Sequence, residues 1–184
     1  MYLFVFVTLG FFNDILSYLI IMRGRSNHFN SNVYVLMAFL LLLAQFYMWN
    51  KASRRKYILL AFAGCWLWIS DHLILNDIKS NNSIFRFAVS FIFLYLCIEQ
   101  INKLIIYESK GLLKNPVFLT CTGLVIHFSF KAFIETFNFY EWAFETQFAI
   151  SLNIVMVTIN IVSYVLTSIA FLCIRARATY FYPY

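Results

Sequence analysis

Six long apolar stretches separated by short polar gaps run through this chain. They cover residues 2–22, 33–49, 57–75, 84–106, 117–138 and 148–174. A helix needs about 20 mainly apolar residues to cross the hydrocarbon of a bilayer, and each stretch meets that need. None alternates with the period of two that marks a barrel strand. The pattern predicts an all-α fold, a polytopic membrane helical bundle of about six transmembrane helices. Residues 1–184 would then be a single transmembrane domain. The first stretch is not a secretory signal in form: it lacks a basic leading region, and Arg23-Gly24-Arg25 follows it directly. The gaps carry helix breakers, such as Gly111 and Pro116 between the fourth and fifth stretches.

Composition strengthens this picture. Hydrophobic residues make up 62% of the chain and charged residues 12%, and the mean hydropathy is +0.77. A soluble domain carries about 25% charged residues, so water is not the main solvent here. The net charge of +6 does not imply nucleic acid, because Lys and Arg sit in gaps between apolar stretches and form no basic face on a soluble domain. Their placement sets topology instead. With six crossings, one side receives Lys51, Arg54, Arg55, Lys56, Lys103, Lys110, Lys114, Arg175 and Arg177, and the other only Arg23, Arg25, Lys79 and Arg86. Positive charge accumulates on the cytoplasmic side, so both termini are expected in the cytoplasm and the protein in the inner (plasma) membrane.

Ionisable side chains inside apolar stretches are costly, and they tend to face partners or water. Gly10, Asn13, Asp14 and Ser17 share a face of the first stretch by helical spacing. Asp71 and His72 lie near the end of the third. His127, Lys131 and Glu135 follow at steps of four in the fifth, and Asn153, Asn160 and Thr167 at steps of seven in the sixth. The His127–Lys131–Glu135 stripe reads either as a proton or ion relay or as a structural histidine beside a snorkelling, paired lysine. Asn13, Asn153, Asn160 and Thr167 read as polar helix-packing residues. Glu99 lies one turn from Lys103 and suggests a boundary ion pair. With the amino terminus inside, Asp14, Asp71, His72, Lys131 and Glu135 all fall in the outer half of the bilayer. At least Asp14, Lys131 and one more are expected to converge on a shared polar site.

No motif for a phosphate-binding loop, a dinucleotide fold, a zinc protease or a serine hydrolase is present. Cys65, Cys97, Cys121 and Cys173 lie far apart within apolar stretches and read as small buried hydrophobes, and no metal or other cofactor is implied. Haem would want histidines on facing helices, and the three histidines are not placed for it.

The segments Gly10-Phe11-Phe12-Asn13-Asp14-Ile15-Leu16-Ser17-Tyr18-Leu19 and Asn32-Val33-Tyr34-Val35-Leu36 resemble a group of small multi-helix membrane proteins of Bacteroidetes without assigned activity. So do Leu112-Leu113-Lys114-Asn115-Pro116-Val117-Phe118 and Gly123-Leu124-Val125-Ile126-His127-Phe128. The resemblance implies a bacterial inner-membrane bundle and no particular reaction. That group often has one more helix at its start, and this chain departs from it there.

Two functional classes follow. One is a non-enzymatic module for sensing or partner assembly, working in the lipid bilayer with a protein partner or as a homo-oligomer. The alternative is a small ion, proton or solute transporter or an oligomeric channel, resting on the intramembrane charge. An intramembrane enzyme or electron carrier has less support, since no reaction motif accompanies the polar residues.

Overall fold

The computed structural model describes residues 2–51, 54–72, 83–107, 111–139 and 146–180. It contains six α-helices in chain order: α1 (Tyr2–Met22), α2 (His28–Trp49), α3 (Arg54–Ser70), α4 (Ser83–Tyr107), α5 (Pro116–Phe139) and α6 (Thr146–Tyr180). Five of them, all but α3, are long and apolar enough to cross a membrane. The fold is therefore the all-α helical bundle that the apolar stretches require, and it suits embedding in a membrane. α3 has 17 residues, about 26 Å of helix against a hydrocarbon layer of about 30 Å.

Local chemistry sets the helix ends. α1 closes in a left-handed turn at Gly24 (φ 67°). There the Gly24 N–H bonds the Ile21 carbonyl at 2.8 Å and the Arg25 N–H bonds that of Ile20 at 3.2 Å, so two end carbonyls are satisfied. α5 opens with Pro116 at its first position, where no N–H is needed, and with Asn115 as its cap. Asn115 Oδ1 accepts the Val117 and Phe118 N–H groups at 2.9 and 3.3 Å. α2 begins at His28, five residues before its apolar stretch. Its polar first turn is stabilised by bonds to α1, which hydropathy does not report.

By internal contacts the chain groups into two units, residues 1–89 and 90–184, each described by itself. In the first, α2 is the core helix. Val35, Phe39, Leu42, Leu43 and Phe46 are buried at three- and four-residue spacing. Phe39 meets Phe85 of α4 edge-to-face at 5.9 Å, and α3 approaches it at Gly64. α1 lies against α2, with Leu3 and Gly10 buried. In the second unit, Phe93, Leu96 and Cys97 of α4 are buried, as are Leu119, Cys121, Leu124 and Phe128 of α5. Phe93 and Phe128 stack at 4.9 Å. α6 turns Ile159, Ser163, Thr167 and Ala170 inward, and Ser163 Oγ donates to the Gly123 carbonyl at 3.1 Å where the two backbones come close.

Candidate functional site

Polar side chains collect at the end of the first unit where α2 and α4 begin and α3 finishes. Asp71 is fully buried, and its Oδ2 accepts the Phe85 N–H at 3.0 Å. That N–H belongs to the first turn of α4, which has no carbonyl of its own to bond, and a carboxylate suits the positive end of a helix. One turn-step away, Arg86 reaches across to α2. Its Nη2 donates to Ser31 Oγ at 2.8 Å and to Asn32 Oδ1 at 3.0 Å. Asn32 is 1% exposed, and its backbone carbonyl accepts the Trp68 indole N–H at 3.2 Å. The His72 ring meets Trp68 edge-on at 4.4 Å. It is buried, and its Nδ1 has no hydrogen-bond partner among the described residues. Asp71 and Arg86 both lie within electrostatic reach of it. The arrangement ties three helix ends together around a buried imidazole.

A second polar tie joins α1 to α2. Asn30 Nδ2 donates to Asn13 Oδ1 at 3.0 Å, to Ser17 Oγ at 3.2 Å and to Asn27 Oδ1 at 3.2 Å. At the other end of the same helix pair, buried Gln45 supplies Oε1 to the Leu3 N–H at 3.1 Å. Gln45 thus takes up one of the unpaired first-turn N–H groups of α1.

In the second unit, His127 Nδ1 donates to Asn160 Oδ1 across α5 and α6 at 2.8 Å. Lys131 is half-buried and Glu135 is buried, and both are engaged in interactions. Glu99 and Lys103 form the expected one-turn ion pair at 2.8 Å on α4. The Cys97 and Cys121 thiols meet in the core between α4 and α5, and Cys65 and Cys173 are half-buried. Among the described residues no group of three His, Cys, Asp or Glu side chains is arranged to hold a metal ion.

Each unit holds its own share of the residues singled out in the sequence. Asp71 and His72 share one cluster. His127 and Asn160 form another, with Lys131 and Glu135 further along the same helix. Asn13 packs against α2 as a polar tie. Thr167 is buried, but its hydroxyl bonds the Ser163 carbonyl of its own helix at 2.9 Å. The side chain of Asn153 lies outside the described residues. Asp14 stands apart from its neighbours: Gly10, Asn13 and Ser17 turn toward α2, whereas Asp14 is exposed and makes no hydrogen bond or ion pair among the described residues.

Sequence reasoning missed Asn32, Gln45, Trp68 and Arg86. Gln45 was visible as a lone amide inside an apolar stretch. Arg86 was counted only for topology, although a cation three residues into a stretch must find acceptors. No protein-family model, curated protein or solved structure matches this chain.

Proposed function

We propose that this chain is a non-enzymatic inner-membrane module that crosses six times, with both termini cytoplasmic, and works by assembling with a partner within the bilayer. Asp14 carries this reading. It lies twelve residues after Tyr2 and eight before Met22, about 18 and 12 Å from the ends of α1 and thus close to mid-membrane. Arg23 is nine residues further on, about 13 Å along the axis and beyond direct pairing. A carboxyl group turned to lipid at that depth costs about 2.5–3.5 kcal/mol on the insertion scale. Covering it with another helix recovers part of that cost. The connections between the apolar stretches are short, and a partner within the bilayer could pass a response onward.

The test compares native membranes carrying the wild-type chain or Asp14→Leu on native gels after mild solubilisation. The wild type is expected to run in a complex larger than one chain, and the leucine variant as the single chain. A wild-type protein that runs only as the single chain contradicts the assembly reading.

A second reading, transport of a proton or small ion, is favoured by the buried imidazole of His72, whose Nδ1 has no partner among the described residues, beside buried Asp71. It requires reconstituted vesicles to show a flux that His72→Phe abolishes. Vesicles tight to protons, sodium and potassium would exclude it.

A further inference from the structure

In the first unit, α2 and α3 face each other along two matched rows. Leu40, Ala44 and Tyr47 of α2 and Arg54, Ile58 and Ala61 of α3 recur at a step of four and then of three, which is one helical face each. Between them the two faces line an open cavity of about 310 Å³. Alanine at Ala44 and Ala61 leaves space that larger side chains would fill. Each row extends about 10 Å along its helix. The helices run antiparallel, since Tyr47 meets Tyr57 edge-on at 6.1 Å while Trp68 bonds the Asn32 carbonyl. Leu40 and Ala61 therefore stand at one end of the groove, and Tyr47 and Arg54 at the other. Positive charge collects at that second end. Lys51, Arg54, Arg55 and Lys56 fall close together, and no Asp or Glu occurs between Asp14 and Asp71. Those two acidic residues lie elsewhere. Asp14 follows Asn13, which bonds Asn30, and Asp71 belongs to the cluster around Asn32. Asn30 and Asn32 are more than about 20 Å from Tyr47 along α2. Lys51, Arg54 and Arg55 are exposed and make no hydrogen bond or ion pair among the described residues.

We propose that this groove binds one anionic glycerophospholipid of the surrounding bilayer, with an acyl chain lying between α2 and α3 and the phosphate held by the Arg54 guanidinium. The inference stands apart from the assembly reading and requires only that α2 lie in a membrane. Charge complementarity selects this occupant. The groove is apolar along its length and cationic at one end, as a lipid is apolar along its chains and anionic at its head. A guanidinium offers two parallel N–H donors to phosphate oxygens, and basic pockets between membrane helices hold anionic headgroups. Tyr47, Trp49 and Tyr57 gather at the same end, and such side chains mark the level of the headgroups. A helix of another protein does not fit. At about 10 Å across, it needs about 800 Å³ over the length of the groove. An extended peptide would bring N–H and C=O groups to walls that leave them unsatisfied, whereas a hydrocarbon chain has none.

The experiment titrates the full chain in detergent with phosphatidylglycerol or phosphatidylcholine and counts bound lipid by native mass spectrometry. One phosphatidylglycerol is expected to bind about tenfold more tightly than phosphatidylcholine, because only the anionic head gains from the basic end. Equal binding of the two lipids would overturn the proposal. Glycerol phosphate, the head without its chains, is expected not to displace the lipid. Displacement would mean that the site takes a free phosphate, and the proposal fails. Arg54→Gln is expected to weaken phosphatidylglycerol binding about tenfold or more, through loss of charge-assisted hydrogen bonds. Arg55→Gln removes the same charge from a side chain that does not line the groove, and is expected to cost at most about fivefold. Equal losses would assign binding to the general field of the cluster and overturn the proposal. Ala61→Leu fills the groove and leaves every charge in place, so it is expected to abolish tight binding. A folded Ala61→Leu protein that still binds as the wild type does would show that no chain enters the groove. If Ala61→Leu does not fold, the comparison of the exposed Arg54 and Arg55 decides alone.

Discussion

At the scale of single residues, close packing decides more than polarity does. A Cβ added at Gly64 would collide with the Phe39 ring, and Phe39 is 1% exposed and seated against Phe85, so the ring has little room to yield. Gly64→Ala is therefore expected to destabilise the protein by about 1–3 kcal/mol, read as a lower Tm in detergent. Phe39→Leu in the same chain is expected to restore part of the loss by freeing space. An additive double variant would mean that the contact is not the cause. The pair of His127 and Asn160 is a second residue-scale case. A double-mutant cycle with His127→Phe and Asn160→Leu is expected to give a coupling of about 0.6 kcal/mol and no more than about 1.7, the range for polar contacts between membrane helices. Zero coupling would assign the two side chains separate roles.

At the scale of elements, the helices are held by what satisfies their ends. Gln45 offers an acceptor to the first turn of α1, Asp71 to that of α4 and Asn115 to that of α5. Each comes from a different place: a neighbouring helix, the preceding helix end and the adjacent residue. Asn115→Ala is expected to cost about 1 kcal/mol, as for other capping residues. Gln45→Leu is expected to cost about 1–3 kcal/mol, because it leaves a buried N–H unsatisfied where water cannot reach it. Chemical denaturation of the two variants side by side checks the ranking. Equal losses would mean that the α1 N–H finds another acceptor once Gln45 is gone.

At the scale of the whole molecule, the open quantity is the number of crossings, and α3 decides it. With six, both termini lie on one side; if α3 stops short, they lie on opposite sides. Cysteine labelling on a cysteine-free background separates the two. Lys51→Cys is expected to react only after the membrane is opened, and Ser26→Cys from outside intact cells. A fluorescent protein fused to the carboxyl terminus is expected to mature in the cytoplasm. A dark fusion with unchanged labelling at 26 and 51 would show that α3 does not cross.

The apolar periodicity alone determined the class of structure. Six helices form where six apolar stretches lie, because a backbone in lipid must bond within its own segment. Their limits were legible to within a few residues for α1, α4 and α5, where apolar character and helix end together. They were not legible for α2, whose polar first turn becomes helical through Asn30 bonding α1. That Asp14, Asp71, His72 and His127 stand inside apolar stretches was also readable, and an ionisable group there needs an explanation wherever it points. Where each one points was decided by tertiary structure. Asn13 and Asp14 are adjacent in sequence, yet one ties α1 to α2 and the other is exposed, because a helix turns about 100° per residue. Which side of α1 meets α2 depends on Asn13 and Ser17 meeting Asn30 across the helix pair. Arg86, Asn32, Trp68 and Asp71 likewise became one cluster only when three helix ends were brought together. Spacing along the chain specifies a face, and only packing specifies what that face meets.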